Sequence, residues 1–142
     1  MIEFFKIIAL AVVTAVVYGI LHDQVTARLC VEYFTVFHVK IVDSTSPTAL
    51  AFAWGVAGTW WVALLLAVPG ALFARVGRRP KLAARDLVVP VLVLMGAMAV
   101  ASVVAGVAGY ARAEAGALAV WEPFASRIPP EKHALFLADL WA

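Results

Sequence analysis

Apolar residues run in three long blocks, and nearly all of the charge lies between or outside them. The first block extends from Phe4 to Leu21 and is broken only by Lys6. As a helix rising about 1.5 Å per residue it nearly crosses a hydrocarbon core of roughly 30 Å. The second, Thr48 to Phe73, follows Ser46-Pro47, where a proline opens a helix without losing a needed hydrogen bond. Pro69-Gly70 near its end predicts a kinked or loosened last turn. The third, Leu87 to Ala111, carries Pro90 in its predicted first turn. The pattern therefore predicts an all-α integral membrane bundle, a single domain over residues 1–142. Its spanning helices fall at about 4–21, 48–73 and 87–111, with a connection over 22–47 and a tail over 112–142. Within the tail, Pro129-Pro130-Glu131 opens a short apolar helix that is too short to span. It predicts an interfacial helix or the opening of a fourth spanning helix. A cleaved signal peptide is the rival for the first block, but no small-x-small site follows promptly and His22-Asp23-Gln24 fits one poorly.

Composition agrees with the pattern. In 142 residues the apolar share is 65%, the charged share 14% and the mean hydropathy +0.98. A water-soluble fold of this size could not hide that much apolar surface, so the bilayer is the expected partner. A net charge of +2, without basic residues interleaved with aromatics, argues against nucleic acid. Cys30 is the one cysteine, which excludes an intrachain disulfide and any paired-cysteine metal motif.

The charges also predict an orientation. Arg75, Arg78, Arg79, Lys81 and Arg85 crowd the second loop, whereas the first connection holds only Arg28 and Lys40. The positive-inside rule then puts the amino terminus and the basic loop in the cytoplasm of a bacterial inner membrane. Those five residues are candidate contacts for lipid headgroups. Tyr18, Tyr110 and Trp121 fall near the opposite surface. Stripes of small residues at four-residue spacing predict close helix packing. They are Ala11, Ala15 and Gly19; Gly55, Thr59, Ala63 and Ala67; and Ala97, Ala101, Ala105 and Gly109. Trp60-Trp61, deep in the second block, are assigned to packing or lipid contact.

The candidate chemistry gathers on the outer side, in His22, Asp23, Arg28, Glu32, His38, His133 and Asp139. If the first helix continues past Leu21, Asp23 falls four residues after Gly19, at the rim of the bundle, where an unpaired acid is costly. Arg28 or His133 would be its partner, and Arg28 and Glu32 are spaced as a helical i, i+4 pair. His22, Asp23, Glu32, His38 and His133 carry ligand types suited to zinc or iron, but in none of the known metal-motif spacings. No nucleophile elbow and no phosphate-binding glycine loop occurs, and the sequence leaves any cofactor unknown.

The run from Tyr18 through Gly19-Ile20-Leu21-His22-Asp23-Gln24-Val25-Thr26-Ala27 to Arg28, with Glu32-Tyr33-Phe34-Thr35, resembles a signature of bacterial multi-pass membrane proteins that have no assigned activity. The resemblance extends through Arg78-Arg79-Pro80, Gly106 to Tyr110, Pro129 to His133 and Ala138-Asp139-Leu140-Trp141. It implies a small helical membrane protein in which a histidine and a fourth hydrophobic helix follow Trp141, as if this chain were shortened at its carboxy terminus. Where that pattern has Gly-His-Pro, this chain has Phe37-His38-Val39. The resulting expectation is a protein whose outer polar motif packs against the carboxy-terminal segment or binds a partner, either a second copy or another membrane subunit. A metal-dependent membrane enzyme acting on a lipid-soluble substrate, and a transporter or channel component gated by Asp23, are the alternatives.

Overall fold

The computed structural model describes residues 1–78 and 80–142, and is helical throughout, with no strand among them. Helix α1 spans Ile2–Leu29, α2 Pro47–Arg75, α3 Ala84–Glu114 and α4 His133–Trp141. A single π-helical turn, Tyr33–Phe37, follows α1, and a 3-10 turn, Pro130–Lys132, leads into α4. The first three helices are long and apolar enough to cross a membrane, so the chain is a multi-pass membrane protein by length and composition. Local signals set their ends. Ser46 Oγ accepts from the Ala49 amide with Pro47 in the first turn, and the Asp86 carboxylate reaches back to the Ala83 amide at 2.8 Å.

Two boundaries differ from the sequence pattern. Helix α1 continues eight residues past Leu21, because leaving the apolar run does not stop a helix when Gln24, Ala27 and Arg28 still favour one. It ends where Cys30 turns extended (φ −144°, ψ 94°). Helix α3 begins at Ala84, so Pro90 lies in its interior. The amide it lacks would have bonded the Asp86 carbonyl, near the exposed end of the helix.

Helices α1 and α2 form a tight antiparallel hairpin. A Cβ added to Gly55 would stand 2.5 Å from the Ile20 amide nitrogen, and one on Gly19 would meet Thr59 and the Gly55 carbonyl. Leu50, Ala51, Gly55, Ala63, Ala67 and Ala71 are buried on α2, so the small-residue stripe expected there is its packing face. Ala11 and Ala15 are half-buried on the matching face of α1. On α3 the expected stripe packs at Gly109, which is buried against Trp141, whereas Ala97 and Ala101 are exposed and Ala105 is half-buried. Over the preceding turns the contact face lies one residue along, a turn of about 100°, at Ser102 and Gly106. Trp60 and Trp61 are exposed, as side chains touching lipid would be.

Helix α4 runs antiparallel to α3 and re-enters the bundle from the end opposite the basic loop. A Cβ on Gly109 would lie 2.8 Å from the Trp141 ring and 2.9 Å from the Leu137 carbonyl. Above this contact, Cys30, Val120, Ile128, Phe136 and Leu137 form a buried cluster, with Tyr33, Phe37 and Phe124 packed on it.

Close approach at glycines is thus the joint of both helix pairs. Gly55→Val is expected to destabilise the protein in detergent by about 1–3 kcal/mol, the usual range for overpacking a tight contact. Gly58→Val, which meets open space, is expected to leave the melting temperature unchanged. Thermal melts followed by circular dichroism check both.

Candidate functional site

The residues singled out by the sequence gather at the end of the bundle opposite the basic loop, on the last two turns of α1. Tyr18 and His22, one turn apart, stack with ring centroids 6.0 Å apart. Across from them Ser102 of α3 places its Oγ 3.2 Å from His22 Nδ1. One turn further along α1, Thr26 lines the same groove as Asp139 of α4; each is 4% exposed. Thr26 Oγ1 and both Asp139 carboxyl oxygens are buried and have no hydrogen-bond partner among the described residues. Asp23 is half-buried beside them on α1.

Burial sets the electrostatics here. It pushes the Asp139 carboxyl up to about 8, helped by repulsion from Asp23 and opposed by Lys132. Asp139 is therefore neutral at pH 7, which is how a carboxyl without a cation partner is tolerated in this position. The Cys30 thiol, fully buried and 3.4 Å from Glu32 Oε2, is pushed up to about 12, chiefly by burial. Burial also raises the Tyr33 hydroxyl, with Asp139 and Asp23 adding to the shift.

The remaining candidates have other contacts. Arg28 does not reach Asp23; its guanidinium bonds the Gln24 carbonyl and Thr48 Oγ1 across to α2. It does not pair with Glu32 either, because the chain leaves the helix at Cys30 and the i, i+4 geometry is lost. His38 Nδ1 meets the Tyr33 carbonyl at 2.9 Å, and its ring packs on Trp54 with centroids 4.5 Å apart. His133 Nε2 meets the Ile128 carbonyl at 3.0 Å, which braces the start of α4 rather than holding Asp23. Among the described residues no three His, Cys, Asp or Glu side chains stand together as metal ligands, so His22, Asp23, Glu32, His38 and His133 do not converge. At the basic end, Arg75 bonds the Leu82 carbonyl, while Arg78, Lys81 and Arg85 are exposed; Arg79 lies outside the described residues.

Ser102 was not among the residues singled out by the sequence. Its signal was available, as the one serine or threonine inside the apolar run of α3. Ser102 and His22 resemble half of a nucleophilic triad, but both sit inside helices whose backbone amides are already bonded, so no oxyanion site lies beside them. No third group orients His22 through Nε2 among the described residues. The arrangement is equipped to hydrogen-bond and to hold.

Comparison with protein-family models, with curated proteins and with solved structures finds no match. What the fold itself defines is a class, the helical multi-pass membrane proteins.

The raised Asp139 carboxyl fixes the sign of a pH effect. The folded protein keeps a proton there up to about pH 8, whereas a free carboxyl of this type loses it near its ordinary value of 3.8. Stability is therefore fully present below about pH 4, falls as pH rises to about 8, and levels off above. Chemical denaturation in detergent at pH 5 and pH 8 checks this, with Asp139→Asn expected to flatten the slope. Cys30 is expected to stay unreactive to maleimide at pH 8 until the protein is unfolded.

Proposed function

We propose that this chain is a small, non-catalytic multi-pass protein of the bacterial inner membrane. Its amino terminus is cytoplasmic, and its extracytoplasmic end is a binding platform built from the polar motif and the carboxy-terminal segment. The observation that carries the reading is the docking of that segment onto the motif. Lys132 Nζ bonds the Leu29 carbonyl at 3.3 Å, Tyr33 meets Phe136 edge-on at 6.0 Å, and Phe136 is completely buried beside Cys30. The motif residues are thus engaged in holding chain to chain, which is what a platform needs and a metal site would not do. The asymmetry of basic residues supports the orientation, with Arg75, Arg78, Lys81 and Arg85 at the level of the cytoplasmic headgroups. The flank of α3 that no other helix covers is where a second copy or another membrane subunit would pack.

Because Cys30 is sealed, the wild-type chain serves as its own blank in cysteine labelling. An impermeant maleimide on intact spheroplasts is expected to label Ser44→Cys directly and Lys81→Cys only after permeabilisation. Labelling of both in one compartment would refute the orientation. Phe136→Ala is expected to cost about 3–5 kcal/mol and to open Cys30 to the reagent. An unchanged melt with Cys30 still protected would refute the platform.

A further inference from the structure

A half-open groove of about 500 Å³ runs between α1, α3 and α4, walled by Leu21, Val25, Leu29, Val103 and Val107. That volume is of the order of sites for small-molecule ligands. Its lining is apolar apart from Tyr18, His22, Thr26, Ser102, Tyr110 and Asp139. Ser102 fixes the His22 ring through Nδ1, and Nε2 is left without a partner among the described residues. The depth of this atom matters. The Ala84 amide bonds Glu3 at 3.0 Å and Lys6 pairs with Glu3, so the basic ends of α1 and α3 lie level. His22 stands sixteen residues beyond Lys6 on α1. That places it about 24 Å higher, still within a hydrocarbon core of roughly 30 Å. His22 lines the groove, and a polar ring atom without a partner at that depth is unfavourable unless a hydrogen-bonding group reaches it.

We propose that this groove binds a neutral, membrane-dissolved amphiphile. Its apolar chain would lie along Val25, Val103 and Val107, and a single hydroxyl or carbonyl head would bond His22 Nε2. Charge selects the neutral head. An anionic head would find no cation in the lining, and Lys132, whose charge is felt at Asp139, turns its Nζ to the Leu29 carbonyl. A cationic head would find no open counter-charge, since both Asp139 oxygens are sealed behind the wall and Asp23 does not line the groove. The site is independent of which end of the bundle faces the cytoplasm.

The test uses the full chain in phosphatidylcholine nanodiscs, photolabelled with a diazirine-bearing dodecanol and mapped by mass spectrometry. Adducts are expected on the segments carrying Val25, Val103 and Val107. Dodecanol should displace the label at least about tenfold better than dodecane or dodecyl phosphate, the discrimination of one good hydrogen bond. His22→Phe should abolish the advantage of dodecanol over dodecane, whereas His133→Phe, outside the groove, should keep it. Equal competition by dodecane would mean that lipid chains merely fill the space, and stronger competition by the phosphate would mean an anion site; either overturns the proposal. So do adducts spread evenly over the outward face of α3. Should His22→Phe fail to fold, the wild-type protein still decides the question. The imidazole ¹⁵N resonance of His22 should move with dodecanol and not with dodecane, and an unmoved resonance overturns the proposal.

Discussion

Lipid exerts no hydrophobic force between helices, because a neighbouring acyl chain is as apolar as a leucine. A bundle in that solvent holds where backbones come close enough for dense dispersion contacts, and here that condition is met at glycines. The contact of Gly55 with the backbone of Ile20, and of Gly19 with Gly55 and Thr59, makes α1 and α2 one rigid hairpin. Everything else is referred to that hairpin. Helix α3 touches it through the Ala84 amide on Glu3 at one end and Ser102 on His22 further along, and buries little of itself otherwise. A helix held at so few points leaves space beside it, and two grooves of the structure border α3.

Helix α4 follows from the same constraint applied a second time. Nine residues cannot span, but they can re-enter if a neighbour lets their backbone come close, and Gly106 and Gly109 do so. The docking carries Asp139 into the bundle, where the carboxyl is tolerated because it is protonated. The aromatic cluster around Phe136 closes the end of the bundle above it. Phe37, Phe124 and Phe136 meet in pairs with centroids between 5.2 and 6.5 Å. That cluster encloses Cys30, and burial raises both its thiol and the Asp139 carboxyl.

Much of this was legible in the sequence, and the reason is that membranes impose long-range order on composition. Three spans and their small-residue faces on α1 and α2 follow from run length and four-residue spacing, which lipid demands of any solution. The meeting of His22 with Tyr18 follows from helix periodicity once α1 is allowed to continue past Leu21. Pairings across the chain were not legible. Nothing local joins Ser102 to His22, eighty residues apart, or tells Arg28 to choose Thr48 over Glu32. The displaced contact face of α3 was missed for a related reason. In a helix where alanine, glycine and valine are everywhere, several stripes satisfy the spacing rule, and the partner decides which one is used. The end of α1 was missed because polarity marks the edge of the lipid, whereas backbone conformation at Cys30 marks the edge of the helix.

The membrane also limits what chemistry a site at His22 could perform. Helical segments in hydrocarbon use their amides and carbonyls internally, so a site within them has side chains alone to offer. Stabilising a developing oxyanion calls for preorganised donors, which backbone amides supply only where a helix is broken. Backbone outside the helices lies nearby in two places, at Cys30–Val31 after α1 and in the segment after α3, and both are packed with aromatic side chains. Ser102 and His22 accordingly sit among the structure's polar groups with hydrogen-bonding capacity and without the surroundings of a nucleophile. The same reasoning makes the open nitrogen of His22 informative. In water an unpaired imidazole nitrogen is solvated and says nothing, whereas in hydrocarbon leaving it unpaired is costly.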